Sequence, residues 1–238
     1  MNIGNFFKFL EEKQKKPMPV RARILYAPNS FPPGKTIWAL EDIHVRDKNT
    51  VLPENLIVRG NLIVSGDIPS TYKLPDNLTV IGILNISGAD MVELPKGLQV
   101  KSLNMLYTSI KKLPNDLIVE ELFAGYSELQ SIDNLQQKEF ERLRLQGTSI
   151  TSLPNGLTVR ILLDLAECSN LQKLPDYLTA GLLSIRNTPI RDIPKHLNAN
   201  ELAWAQTPLY EKFTNQTLVD EIVDNGGSPP RLRDTRTM

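Results

Sequence analysis

Residues 153–175 read LPNGLTVRILLDLAECSNLQKLP, and this stretch decides the fold. Leu163 and Leu165 are two positions apart, which places both side chains on the same face of a short strand. A Leu-Pro pair opens the stretch and another ends it. Because proline fixes φ and lacks an N–H, the limb that follows each pair is predicted to be extended rather than helical. The stretch therefore predicts one coil, whose leucines are buried when further coils stack on it.

The same pattern recurs along most of the chain. Leu-Pro pairs start at Leu52, Leu74, Leu94, Leu113, Leu153 and Leu174, Ile193-Pro194 continues the series, and Ile132-Asp133 fills the remaining gap. A repeat of roughly 20 residues is typical of leucine-rich repeats. We therefore predict a leucine-rich-repeat solenoid of about eight units over residues 51–211. The predicted shape is a horseshoe with a parallel β-sheet on its concave face and an extended or short-helical convex side.

A small residue follows each predicted strand at a constant distance. These residues include Thr108, Ser127, Thr148, Cys168, Thr188 and Thr207. We expect each hydroxyl or thiol to bond backbone groups of the neighbouring coil and so to form a buried ladder. The unit at residues 132–152 lacks its proline, and its QQKEFER segment (136–142) is predicted to form a short helical turn.

The segments on either side of the repeats are predicted to cap the solenoid, because its open ends expose apolar core. Residues 1–50 contain an amphipathic helix pattern at 1–16 and strand patterns at 20–26 and near 36–45. One interpretation is an N-terminal cap, and the other is an element that docks a partner.

The C-terminal flank has two predicted parts. Residues 212–227 contain NQTLVDEIVD (215–224), a predicted capping helix ended by Gly226-Gly227. Residues 228–238 are predicted to be a flexible tail, and its arginines could contact an acidic partner.

Composition narrows the function classes. The 27 Lys+Arg balance the 27 Asp+Glu, which argues against a dedicated non-specific nucleic-acid binder. A single cysteine excludes an intramolecular disulfide framework and a cysteine-based zinc site. No apolar run approaches the ~18 residues of a membrane span, and charges interrupt the N-terminus where a secretory signal needs an apolar core. We expect a cytoplasmic protein with no cofactor, metal or small-molecule substrate.

Sequence motifs of catalysis are absent. The chain has no phosphate-binding glycine loop, nucleophile elbow or His-Glu-x-x-His zinc motif. Cys168 occupies the position that Thr and Ser fill in other units, so we predict a buried structural thiol rather than a nucleophile. His196 lies at a variable position of its limb and is predicted to be a surface residue. We expect no enzymatic activity.

The remaining candidate is the solvent-facing side of the strands. Aromatic and charged residues concentrate in the middle units, and the predicted partner-binding residues are Tyr107, Phe123, Tyr126, Arg142, Arg144, Asp164, Glu167 and Arg186. Protein interfaces favour aromatic and arginine side chains. An ordinary exposed surface is the alternative, and Arg142 with Arg144 could instead hold a phosphate.

Residues 52–66 (LPENLIVRGNLIVSG), 74–88 (LPDNLTVIGILNISG) and 153–175 also resemble a known family. They are similar to the short L-P-x leucine-rich repeats of enterobacterial type III secreted effectors and to repeat proteins encoded by tailed bacteriophages and their hosts. The resemblance covers about residues 51–211 and implies a module that captures another protein. Some of these effectors carry a C-terminal ubiquitin-ligase domain with a catalytic cysteine. No cysteine follows Glu211 here, so that activity is not implied.

The sequence therefore predicts a non-enzymatic protein-binding module, such as a phage or bacterial factor that modulates or inhibits its target. The alternatives are a nucleic-acid-binding accessory protein that uses local arginines, a structural or assembly component, and an enzyme.

Overall fold

The computed structural model describes residues 31, 34–66 and 68–233, which form a parallel β-solenoid of about nine turns. The strands are β1 (Ile37–Ala39), β2 (Ile43–Val45), β3 (Leu56–Val58), β4 (Leu62–Val64), β5 (Thr79–Asn85), β6 (Gln99–Asn104), β7 (Ile118–Phe123), β8 (Glu139–Arg144), β9 (Thr158–Asp164), β10 (Thr179–Ser184), β11 (Asn198–Ala203) and β12 (Arg231–Leu232). They lie in one sheet, and neighbouring strands pair in parallel.

Stacking of the coils buries the repeated leucines. Leu103 pairs in register with Leu84 of the preceding coil and Leu122 of the next one. Leu103, Leu143 and Leu183 are each 0% exposed and belong to one continuous apolar cluster. This burial confirms the prediction that stacking of the coils hides the leucines. Burial of one leucine side chain contributes about 1.5–3 kcal/mol to stability.

The solenoid begins one coil earlier than the sequence pattern predicts. Strands β1 and β2 pair with β3 and β4, and Ile37 is opposite Leu56 while Ile43 is opposite Leu62. This coil lies in the segment 1–50 that we assigned to a cap. It lacks a Leu-Pro pair, which is why the repeat count from the sequence is one short. The helix at 1–16 and the strand at 20–26 fall outside the described residues.

The buried hydroxyls donate to carbonyls of their own coil, so the expected bonds to the neighbouring coil are absent for most of them, and the exception is Thr148, which also contacts Cys168 of the next coil at 3.6 Å. Thr108 Oγ1 donates to the carbonyl of Met105 at 2.9 Å, and Thr207 Oγ1 donates to that of Trp204 at 2.7 Å. Each hydroxyl thus closes the turn that follows its strand. Cys168 differs, because its Sγ donates to the Leu145 carbonyl of the preceding coil at 3.0 Å.

The unit at residues 132–152 contains no helical turn at 136–142, so that prediction was wrong. Strand β8 begins at Glu139, within this segment. The side-chain amide of Gln137 takes the place of a peptide group beside β7. It accepts a hydrogen bond from Val119 N at 3.0 Å and donates one to Val119 O at 2.8 Å. The amide therefore satisfies the backbone of Val119 where the strand pairing of β7 and β8 is missing.

Two helices follow the repeats, α1 (Pro208–Lys212) and α2 (Asn215–Asp224). The bounds of α2 match the predicted helix, and Thr214 and Thr217 form its capping box. Leu218 and Ile222 of α2 are buried in the same cluster as the strand leucines.

The first part of the expected flexible tail is instead ordered. Residues 228–233 include β12, which pairs in parallel with β11, and Arg233 forms an ion pair with Glu201. Ser228 also bridges to Asn198. The apolar Leu232 packs against the core cluster, which explains the order. Residues 234–238 lie outside the described part of the chain.

Across the described ranges, no helix is long and apolar enough to cross a membrane.

Candidate functional site

Parallel pairing arranges the outward side chains of the strands in rows. One row contains Ser102, Glu121, Arg142, Leu162, Leu182 and Glu201, and the next contains Asn104, Phe123, Arg144, Asp164, Ser184 and Ala203. The expectation that all of these are exposed is wrong for the smallest ones. Ser102, Ser184 and Ala203 are buried.

A further row follows the strands, and we call it the exit row. It consists of Gly66, Gly88, Tyr107, Tyr126, Gly147, Glu167, Asn187 and Gln206, all with positive φ. Each member bonds the residue before the next member: Tyr126 N donates to the carbonyl of Gln146 at 2.8 Å, and Gly147 N to that of Ala166 at 2.9 Å. The left-handed conformation costs a tyrosine roughly 1–3 kcal/mol, and stacking of identical turns enforces it.

The tyrosines of the exit row are stacked. Their ring centroids are 5.5 Å apart and their planes differ by 7°. Tyr107 is 64% exposed and Tyr126 is 43% exposed. Gly147 makes room for the stack, since a Cβ there would lie 2.5 Å from Cε1 of Tyr126. The ring of Tyr126 therefore lies over Gly147 of the next coil.

The side chain of Tyr126 extends across the coil of Gly147 to the carboxylate of Glu167. Its hydroxyl donates to Oε2 of Glu167 at 3.3 Å, over a separation of 41 positions. Desolvation raises the pKa of the Tyr126 hydroxyl. The charge of Glu167 and its hydrogen bond raise that pKa further, as do Tyr107 and Asp164. The Tyr126 hydroxyl therefore stays protonated and donates to the carboxylate of Glu167, which lies at this end of the stack.

The arginines of the sheet face differ in their partners. Arg144 lies over the ring of Phe123, with its Cζ 5.6 Å from the ring centroid, a cation–π contact. Arg142 instead forms an ion pair with Glu121 of the preceding strand. Arg160 is similarly bonded to Glu141 at 2.9 Å. The proposed phosphate site at Arg142 and Arg144 therefore has one of its two cations already neutralised.

Two predicted site residues are not joined to the others by side-chain contacts. Oδ1 of Asp164 accepts a hydrogen bond from Ala166 N at 3.2 Å and so closes its own turn. Asn85 does the same for Ser87 N at 3.0 Å, which indicates a turn-forming role at this position. Arg186 forms no ion pair within the described residues and lies beside the exit row.

A second aromatic stack lies at the opposite ends of the strands, and sequence reasoning missed it. It belongs to the entry row, the left-handed residues that precede the strands, and includes Gly156, Tyr177, His196 and Gly226. Tyr177 and His196 stack with centroids 4.5 Å apart and planes 15° apart. The ring of His196 lies over Gly226, where a Cβ would be 2.8 Å from its Cε1. The spacing of 19 residues between Tyr177 and His196 was the available signal.

Cys168 and the metal-ligating residue types are the next candidates for chemistry. Cys168 is 0% exposed, and burial raises the pKa of its thiol. No group of three His, Cys, Asp or Glu side chains is arranged to hold a metal within the part of the chain that the structure describes. A cavity of about 480 Å³ lies between residues 151–155 and 170–175, and its titratable lining residue is Lys173.

No protein-family model, curated protein or solved structure matches the chain. The assignment of the fold as a parallel β-solenoid therefore depends on the strand pairing alone. The similarity to leucine-rich repeats stays an expectation from the sequence.

Proposed function

We propose that the protein is a non-enzymatic module that binds another protein through the sheet side of its middle coils. The binding surface, which we name the tyrosine patch, comprises Tyr107, Phe123, Tyr126, Arg144 and Glu167. One observation carries the proposal: two exposed tyrosines stack in consecutive coils, and on the strands that lead into the same row an arginine lies over an aromatic ring. Tyrosine and arginine are enriched in binding hot spots, and preformed side chains lose little entropy on association.

The ion pairs favour a protein partner over a nucleic acid. Arg142 and Arg160 are neutralised by glutamates of adjacent strands, and the chain has zero formal net charge. Nucleic-acid affinity depends on cations that are free to replace counterions. Of the predicted site residues, Arg144 and Arg186 have no ion-pair partner within the described ranges, and two cations are too few for a phosphate-tracking surface.

The finer assignment of the fold is part of this proposal. We infer that the coils are leucine-rich repeats of a cytoplasmic phage or bacterial protein, and that the sheet side is the concave wall of a horseshoe. The buried Leu218 and Ile222 of α2 and the pairing of β12 with β11 support a C-terminal cap.

Affinity purification from the native host with quantitative mass spectrometry tests the function. The bait variant is Tyr107→Gly with Arg144→Glu, because glycine accepts the positive φ at residue 107. The control is Lys112→Glu, a matched charge reversal in the limb between β6 and β7. We expect a protein that the wild type and the control capture and the patch variant loses, with melting temperatures nearly unchanged. Undiminished capture by the patch variant would rule out the patch.

A further inference from the structure

The segment that leads from β9 to the next Leu-Pro pair departs from the repeat. We call such a segment, from the end of a strand to the next Leu-Pro or Ile-Pro pair, an exit segment. The exit segment after β9 (165–173) has nine residues, whereas those after β8 (145–152) and β10 (185–192) have eight. The additional residue forms a turn, which Leu171 N closes by donating to the carbonyl of Cys168 at 3.1 Å. The cavity of about 480 Å³ lies beside this turn.

The exit segments on the two sides of the cavity are not bonded to each other as an earlier pair is. Between the exit segments after β6 and β7, Gln130 N donates to the carbonyl of Lys111 at 3.1 Å. Thr151 and Gln172 occupy the corresponding positions of their exit segments, and within the described ranges no backbone hydrogen bond joins them. The cavity lies between them, so the carbonyl of Thr151 and the N–H of Gln172 are available to a bound molecule.

The side chains around the cavity are mostly polar and uncharged. The polar lining residues are Thr151, Ser152, Asn155, Asn170, Gln172 and Lys173. The side chains of Asn170, Gln172 and Lys173 are exposed and form no hydrogen bond or ion pair with another described residue. The buried Leu153 and Leu174 add an apolar part to the wall, and none of the described lining residues is aromatic. The cavity therefore combines amides and hydroxyls with a small apolar surface.

The charge inside the cavity is positive. Lys173 is the charged residue of the lining, and no described lining residue is acidic. Just outside the lining, the ammonium of Lys138 donates to the Asn155 carbonyl at 2.9 Å, and the carboxylate of Asp133 accepts from a lining hydroxyl. The carboxylate of Asp176 accepts a backbone N–H of the next coil. The ammonium of Lys173 is therefore the charged group that a molecule inside the cavity would contact.

We propose that this cavity binds a small polyhydroxylated carboxylate, of the chemical class of the sugar acids. Each hydroxyl of such a ligand donates and accepts hydrogen bonds, and the side-chain amides of Asn170 and Gln172 do the same. The ligand's carboxylate pairs with the ammonium of Lys173, and its C–H groups pack on Leu153 and Leu174. The volume agrees with the roughly 300–1,000 Å³ of small-molecule sites.

The same lining disfavours other classes of small molecule. A nucleobase stacks on aromatic side chains, and none of the described lining residues is aromatic. Phosphate is bound best by several cations or by the paired N–H groups of arginine, and Lys173 is the one cation of the described lining. The proposed site contains no residue of the tyrosine patch, so it is independent of the proposed function.

Nuclear magnetic resonance of the ¹⁵N-labelled full chain tests the inference with methyl β-D-glucuronide as the probe. The comparison probes are methyl β-D-glucopyranoside, which lacks the carboxylate, acetyl-Gly-Glu-Gly-amide, which lacks the sugar, and inorganic phosphate. We expect saturable shifts of the Asn170, Gln172 and Lys173 amides with the glucuronide. The neutral glucoside should bind the same site about two- to fivefold more weakly, because it lacks the ion pair.

Two variants assign the contacts. Lys173→Gln should lower the affinity for the glucuronide to that for the glucoside. Lys112→Gln is the matched control, since Lys112 also precedes a Leu-Pro pair directly, and its affinity should equal that of the wild type. Asn170→Ala with Gln172→Ala should weaken the binding of both sugars by about tenfold. These side chains are exposed, so the melting temperatures should stay close to that of the wild type.

Four results would overturn the inference: no saturable shift with the glucuronide, equal affinity for the acidic peptide, equal affinity for phosphate, or an unchanged glucuronide affinity in Lys173→Gln. The affinity purification above decides the proposed function separately. The variant with Tyr107→Gly and Arg144→Glu should bind the glucuronide like the wild type, and a loss of binding there would contradict the location of the site.

Discussion

The exit row and the entry row contain the same arrangement of four residues. In the exit row, Gly88, Tyr107, Tyr126 and Gly147 follow one another, and in the entry row Gly156, Tyr177, His196 and Gly226 do so. In both, two rings stack and the second ring lies over a glycine. Left-handed turns in register bring two rings together wherever consecutive coils have an aromatic residue at the same position of the turn. The stacking therefore follows from the geometry of the coils.

The surroundings of the two stacks separate a structural role from a binding role. The entry stack ends at the backbone, where Nδ1 of His196 is 3.2 Å from the carbonyl oxygen of Gly226, close to α2. The exit stack ends at the Glu167 carboxylate, and the strands β7 and β8 that lead into this row carry the Phe123–Arg144 contact. For this reason the proposed binding role falls to the exit stack, and we infer that the entry stack stabilises its end of the solenoid.

The largest expected effect comes from removing what both stacks share, the stacked core. Leu143→Ala leaves a cavity at a position that is 0% exposed and is expected to lower the free energy of unfolding by about 2–5 kcal/mol. Urea unfolding followed by circular dichroism measures this loss. A change below about 1 kcal/mol would mean that Leu143 is not in a close-packed core.

The glycines beneath the rings are expected to have the next largest effect. Gly147→Ala and Gly226→Ala place a methyl group against a ring and force a positive φ on alanine, which costs about 1–3 kcal/mol. Gly147→Ala should in addition detach Tyr126 from Glu167. Urea unfolding gives the cost, and ring proton shifts report the displacement.

Each of these glycines has a matched control in its own row. Gly88→Ala and Gly156→Ala impose the same positive φ with open space around the new methyl group. We expect the backbone cost alone and unchanged ring shifts. If Gly88→Ala perturbs the rings of Tyr107 and Tyr126 as much as Gly147→Ala does, the placement of the Tyr126 ring over Gly147 is contradicted.

Removal of the leading tyrosines should separate binding from stability. Tyr107→Gly and Tyr177→Gly each delete an exposed ring at a position where glycine is conformationally favoured. We expect the melting temperature of Tyr107→Gly to stay close to that of the wild type and that of Tyr177→Gly to fall, because the latter loses the ring stacked on His196. Only Tyr107→Gly should reduce partner capture. Equal losses of capture would remove the distinction between the two stacks.

The smallest effect concerns the titration of Tyr126. Its pKa is raised above the ordinary value of 10.0, so the folded state holds this proton more tightly than the unfolded state. The free energy of unfolding is therefore unaffected below pH 10 and falls as the pH rises from there towards the folded-state pKa. An ultraviolet difference titration against Tyr126→Phe should show late ionisation, and Glu167→Gln should lower the pKa. An unchanged pKa in Glu167→Gln would mean that the hydrogen bond to Glu167 is absent.

The periodic part of the fold could be predicted from the sequence because one physical rule repeats in every coil. Leucines two apart define the strands, and the pattern correctly indicated buried Leu103, Leu143 and Leu183. The repeat pattern failed in the coils that lack a Leu-Pro pair. Gln137 substitutes a side-chain amide for strand pairing, and the coil of Ile37 and Ile43 has no Leu-Pro pair.

The candidate site was predictable in its composition but not in its contacts. Tyr107, Tyr126 and Glu167 share a register position that the repeat reveals. The pairing of Arg142 with Glu121 depends on rotamers and strand neighbours, so alternation along β8 suggested a free cation where an ion pair exists. The role of Gly147 was also hidden, because it depends on where the ring of Tyr126 lies.

The most direct test of the binding account is hydroxyl-radical footprinting of the captured complex, since both leading tyrosines report in the same sample. The account predicts that oxidation of Tyr107 falls severalfold on complex formation while oxidation of Tyr177 stays unchanged. Equal oxidation of Tyr107 in the free and bound protein, or protection of Tyr177 in its place, would contradict it.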